Sequence, residues 1–147
     1  MIPLNPLEHQ NAVKTLYSKC VARVCQKHKI NRMELDILLF LANNPRFDTA
    51  TDIVEVRCLS KSQVSVSVKS LEKQGLLRKV YAEDNRKTVH LILCEAAAEI
   101  VEDGQKAQES FVTIMTEGIS QAELDCMKQC MDHMQENIHR FLKEEMR

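Results

Sequence analysis

Apolar positions recur along this chain at two different periods, and the switch between them divides it into elements. From residue 7 to about 29, Val13, Leu16, Tyr17, Cys20, Val24 and His28 share one broad face at helical spacing. Residues 35–42 are almost continuously apolar behind Asn31 and Glu34, a pair that fits the capping box, in which side chains and free backbone groups satisfy one another. That stretch predicts a buried central helix ended by Asn43-Asn44-Pro45. Residues 49–57 predict a shorter helix with Ile53 and Val54 inward. The helix after Ser60 carries Val64, Val68 and Leu71 on one face and Ser62, Val66, Lys69 and Lys73 nearly opposite, with Gln63 and Ser70 on the flank. Ser60 and Gln63 fit a second capping box, and Gly75 supplies the left-handed stop.

The period then changes to two. Residues 77–82 and 87–93 read as strands, with Val89, Leu91 and Leu93 alternating with Thr88, His90 and Ile92. Between them Glu83-Asp84-Asn85-Arg86-Lys87 predicts a charged turn with Arg86 at its tip. A long helix follows over residues 95–116, supported by Ile100, Ala107, Phe111, Ile114 and Met115, with Gly104 expected as a weak point near its middle. Gly118 breaks it. Ser120 with Glu123 caps a last helix whose apolar stripe is Leu124, Met127, Met131, Met134, Ile138, Phe141 and Leu142.

The helix beginning at Ser60 and the strand pair behind it form a unit suited to gripping duplex DNA. Small hydroxyls and an amide read base edges, a branched apolar group meets a thymine methyl, and lysines meet phosphates. Ser62, Gln63 and Val66 are the candidates for base contacts; Lys61, Ser65, Lys69 and Lys87 are those for the backbone. Arg86 on a thin loop suits a narrow minor groove, with Asp84 and Asn85 shaping the loop and Asp84 holding Arg86 by a charge-assisted hydrogen bond.

Three runs in this order, Leu59-Ser60-Lys61-Ser62-Gln63-Val64-Ser65, Leu71-Glu72-Lys73-Gln74-Gly75-Leu76-Leu77-Arg78 and Asp84-Asn85-Arg86, resemble the MarR family of winged helix-turn-helix transcriptional regulators. Val66 stands where that family often has arginine, and Cys94 where it often has threonine. The resemblance implies a mainly helical fold with a small antiparallel β-wing. Residues 31–94 would form the DNA-binding lobe, and residues 7–29 and 95–147 the dimerisation helices. It further implies a homodimer on a palindromic operator, acting as a repressor released by a small-molecule effector or an oxidant acting between the lobe and the dimer helices.

The apolar stripe of the last helix exceeds what a lone surface helix needs, which independently points to a second copy as its cover. A two-fold dimer would set two recognition helices about 34–36 Å apart, one turn of DNA.

Charge sharpens this picture. The net charge of the 147 residues is −1, yet residues 57–90 carry eight basic and three acidic side chains, whereas the remainder carries 12 and 18. Positive charge is gathered on the unit proposed to meet phosphate. No apolar run approaches the ~20 residues that span a bilayer, and the first residues lack a signal-peptide pattern. The expected location is the cytoplasm, with no membrane partner.

The six cysteines include no Cys-x-x-Cys and are expected to be free thiols in a reducing compartment. Cys126, Cys130 and His133 on the last helix could ligate a metal, but one helix rarely completes a tetrahedral set, so they are read as packing. Cys25, beside Lys27 and His28, and Cys20 are the candidates for a redox switch, since a cationic neighbour lowers a thiol's pKa. No catalytic arrangement stands out and no cofactor is called for, so an enzyme is not expected. The rival reading is a winged-helix protein–protein interaction module that does not bind DNA.

Overall fold

The central helix predicted from the apolar run is the pivot of the fold. In the computed structural model, which describes residues 5–147 apart from the side chains of Asn85 and Arg86, the described elements run in the order α1 (Gln10–His28), α2 (Arg32–Asn43), α3 (Ala50–Arg57), α4 (Lys61–Lys73), β1 (Leu77–Ala82), β2 (Asn85–Leu93), α5 (Ala98–Met115) and α6 (Gln121–Glu145). From Glu34 to Leu41 every residue of α2 except Asp36 is buried. Leu35, Ile37, Leu38 and Leu39 form a core with Val21 and Val24 of α1, Ile53 of α3, Val64, Val68 and Leu71 of α4, Leu77 and Leu91 of the sheet, and Ile100 of α5. Each such aliphatic side chain contributes about 1.5–3 kcal/mol by leaving water.

The residues up to Val112 form one compact unit and those from Thr113 a second. In the first, α1 starts at Gln10, later than residue 7; residues 6–9 form a turn, and His9 provides no side-chain cap. It ends at Lys29 in the left-handed region (φ 54°), with the Ile30 N–H returning to the Cys25 carbonyl. The Asn31–Glu34 box forms in both directions, at 2.8 and 3.0 Å.

Gly104 is not the weak point expected of it. It is buried, and a Cβ built there would lie 2.7 Å from Cδ2 of Leu39. The missing side chain is what lets α5 approach α2. Around this contact Asn43 donates to Gln108 at 3.0 Å and accepts from Gln105 at 3.0 Å, and Gln108 donates to the Tyr17 hydroxyl at 3.0 Å.

The wing also departs from expectation. β2 begins at Asn85, and the turn shrinks to Glu83 and Asp84. Leu77 pairs with Leu93 and Tyr81 with Val89 in antiparallel register, then Ala82 pairs with Asn85. Residues 86–88 thus face a single step of β1, a bulge that sharpens the twist. Arg86 lies in β2 rather than at the turn tip; its side chain, and the expected bond to Asp84, lie outside the described residues.

In the second unit, Gly118 takes φ +77° and Ser120 caps α6 through a reciprocal box with Glu123, at 2.8 and 3.2 Å. No residue of α6 is buried. No helix among the described residues is long and apolar enough to cross a membrane.

Candidate nucleic-acid interface

The helix α4 is positioned from three sides. At its start the Ser60 hydroxyl accepts the Gln63 N–H at 3.1 Å. Among the described residues, the return contact from the Gln63 side chain, which a full capping box requires, is not made. The Gln63 amide is exposed instead, which leaves it available for a base edge. At the far end Gly75 sits at φ +74°, its N–H bonded to the Glu72 carbonyl and the Leu76 N–H to the Leu71 carbonyl, both at 3.0 Å. This pair of bonds satisfies carbonyls the helix would otherwise leave open. Inward, Val64, Ser67, Val68 and Leu71 are buried.

Outward, Lys61, Ser62, Gln63, Ser65, Val66 and Lys69 are all exposed, Val66 at 69%. Val64, Val68 and Leu71 are buried and Ser62, Val66, Lys69 and Lys73 exposed, as the helical spacing predicts. Asp84 and Lys87 are exposed on the wing.

The base of the wing is braced to the start of the helix-turn-helix, which sequence did not reveal. The Leu91 N–H donates to the Asp48 carbonyl at 2.6 Å, and Nδ1 of His90 meets Oδ1 of Asp48 at 2.9 Å. Thr49 and His90 form an antiparallel bridge. Thr49 then caps α3 through a reciprocal box with Asp52, both bonds at 3.1 Å. Lys79 of β1 lies 3.8 Å from Glu72 of α4. The second missed feature is the carboxylate of Glu34, which accepts from Ser70 and Gln74 of α4 at 2.9 and 2.6 Å. No local signal could find either contact, because the partners lie about 36 to 42 residues apart.

A cleft of about 340 Å³ opens between α3, α4 and the sheet, lined by Val54, Val64, Val68 and Leu91 together with Lys61 and Lys79. It lies within the lobe, whereas the effector was expected between the lobe and the dimer helices.

The thiol candidates look different in three dimensions. Cys20 and Cys25 are both half-buried. Burial pushes the Cys25 thiol above its ordinary 9.0, against the opposing pull of the Arg32 guanidinium. Lys27 and His28 do not activate it. Lys27 lies 2.7 Å from Asp103 and 3.2 Å from Glu99, and Nε2 of His28 lies 2.8 Å from Asp103. His28, Glu99 and Asp103 are grouped closely enough to hold a metal ion. The Lys27 ammonium already supplies the cation there. Cys58, Cys126 and Cys130 are exposed.

On α6, Met127, Met131, Met134, Ile138, Phe141 and Leu142 form a continuous exposed apolar stripe, Met131 at 58%, with Leu124 half-buried at its start.

Residues 28–87, from the end of α1 into β2, match the model of the MarR family. No curated protein matches the chain. Among solved structures, a MarR-family transcriptional regulator from Listeria monocytogenes, complexed with a 26mer DNA, superposes at a TM-score of 0.80 with 18% identity over 92% of this chain and 89% of that one. A SlyA-like transcription regulator from the same organism gives 0.78 at 18% identity, over 93% and 90%. A MarR-family regulator from Silicibacter pomeroyi gives 0.74 at 15%, over 88% and 86%. These identities establish a shared fold. The helix-turn-helix and wing, residues 28–87, thus match the MarR family, and the chain shares the winged-helix fold of these regulators.

Proposed function

We propose that the protein is a sequence-specific transcriptional regulator that binds double-stranded DNA as a homodimer. The observation that carries this reading is the outward face of α4. Ser62, Gln63 and Val66 present donors, acceptors and one apolar group, flanked by Lys61, Ser65 and Lys69, on a helix fixed at both ends. Such a surface fits a major groove. Arg86 and Lys87 on the wing would meet the flanking minor groove and backbone, with Asp84 and Asn85 shaping the approach. Ser60 contributes through the cap it provides. The Listeria structure that superposes on this chain was solved with DNA, which supports the same partner here.

The apolar stripe of α6 supports a two-fold dimer, because a second copy of the same stripe would cover it. Binding to a palindromic operator then follows from the symmetry. We read the regulation as repression by promoter occupancy, relieved by a small molecule that favours a lobe spacing mismatched to the half-sites. An oxidant acting at Cys25 or Cys20 is the weaker variant, because burial raises the Cys25 thiol. The exposed Val66 favours one alternative, a protein–protein module that uses the same face without DNA.

Fluorescence anisotropy on duplex DNA from upstream of the gene, across a salt series and against a scrambled duplex, separates these readings. Phosphate contacts give a linear fall of log affinity with log salt, about 0.9 per phosphate neutralised. Selective binding with such a slope supports the regulator. A folded dimer that binds no duplex in any salt favours the protein partner.

A further inference from the structure

Glu34 does more than cap its helix. Glu123 makes the same reciprocal box with Ser120 while lying exposed, so capping alone does not require burial. Glu34 is only 5% exposed. Its Oε1 accepts the Asn31 N–H at 3.0 Å, which completes the box, and its Oε2 is turned onto α4. There it accepts from the Ser70 hydroxyl at 2.9 Å and the Gln74 side-chain amide at 2.6 Å. Gln74 also donates to the Ser70 carbonyl at 3.3 Å and meets its hydroxyl at 3.1 Å, so the two donors are held as a pair.

The remaining inner face of α4 is Val64, Val68 and Leu71 with the small Ser67 between them. Apolar packing of this kind sets how deeply a helix sits but has no preferred direction. Hydrogen bonds do, and they weaken steeply once misaligned. Ser70 follows Gln63 by seven residues, nearly two turns, so the two share an azimuth to within roughly 20°. Whatever pins Ser70 therefore pins the direction of Gln63. Met33 of α2 lines a shallow depression with Ser62, Gln63 and Val66, so the start of α2 and the reading face of α4 are neighbours.

We infer that Glu34 is the positioning residue of the recognition helix: its second carboxylate oxygen holds Ser70 and Gln74 and thereby fixes the rotation of α4 about its axis and the aim of Gln63. This inference rests on reading α4 as the helix that enters DNA. Glu34 itself touches no base. It decides which base pattern Gln63 can satisfy by deciding where Gln63 points.

Two variants test it, each read for the ratio of affinities on selected and scrambled duplexes and for amide hydrogen exchange. Ser70→Ala/Gln74→Ala removes both donors and leaves the α2 cap intact. Its selectivity ratio should fall on the order of tenfold, as for one lost base contact, with scrambled-duplex affinity little changed and faster exchange confined to α4. The exchange Glu34→Gln/Gln74→Glu keeps the net charge, keeps an acceptor for Asn31 and restores a donor facing a carboxylate, so it should recover the ratio. An unchanged ratio with unchanged exchange in the alanine variant overturns the inference. So does an equal loss on both duplexes with exchange raised throughout the lobe, which marks a purely structural contact. If the wild type binds no duplex, the DNA reading falls, and the exchange of α4 still decides whether Glu34 holds it.

Discussion

Gly104 of α5 and Leu39 of α2 meet so closely that a Cβ on the glycine would stand 2.7 Å from a leucine methyl. Leu39 is 2% exposed and has little room to retreat. Gly104→Ala gains roughly 1 kcal/mol of helix propensity and incurs about 1–3 kcal/mol of overpacking. The expected net is a loss near 1 kcal/mol in urea unfolding. Combining it with Leu39→Ala should give less than the sum of the two losses, because the leucine is the obstacle. A stabilised Gly104→Ala would show that α2 and α5 are not in this contact.

Two changes on the outer face of α4 should separate reading from holding. Lys69→Ala should weaken binding to all duplexes alike and lower the salt slope by about 1. Gln63→Ala should cost about 1–3 kcal/mol on the selected duplex and little on a scrambled one. Equal losses on every sequence would remove Gln63 from base readout.

The Asp103 carboxyl is held below its ordinary 3.8 by bonds from Lys27 and then His28. A carboxylate with a depressed folded value adds stability that is complete above the unfolded value and disappears as pH falls through the folded one. Asp103→Asn should therefore be less stable than the wild type at neutral pH, and the gap should close under acid, below about 3.8. Urea midpoints across pH check this; a gap that persists in acid would assign the loss to packing.

Thiol chemistry should follow exposure and burial, not sequence neighbours. Alkylation at mildly alkaline pH should label Cys58, which is exposed, well before Cys25, whose thiol is raised by burial. Peptide mass spectrometry resolves the order. Faster labelling of Cys25 would revive the redox reading of α1.

Met131→Lys places a charge in the middle of the α6 stripe. If that stripe is the dimer seam, burying an unpaired ammonium should dissociate the dimer. Sedimentation of a variant that remains dimeric would put the seam elsewhere.

What sequence made legible was local. The boxes at Asn31 and Ser120, the left-handed stop at Gly75 and the two faces of α4 each depend on residues a few positions apart, and each appears as expected. Two misreadings came where a distant partner decides. Gly104 looks like a helix weakness until Leu39, 65 residues earlier, is brought against it. Lys27 and His28 read as activators of Cys25 until Asp103 takes both. Ser60 and Gln63 have the letters of a full box, but only one of its two bonds forms. The wing boundary shifted because turn-prone residues can also enter a strand when a bulge absorbs the surplus.

The brace between Asp48 and the root of β2 gives the wing the mechanics of a lever with a fixed fulcrum. The grip lies at His90 and Leu91, and the tip at Glu83 and Asp84. At strand rise that arm is roughly 20 Å long. A tilt of a few degrees at Asp48 therefore displaces the tip by about an ångström. Asp48 leads directly into α3, so a shift of that helix would be magnified at the far end of the arm.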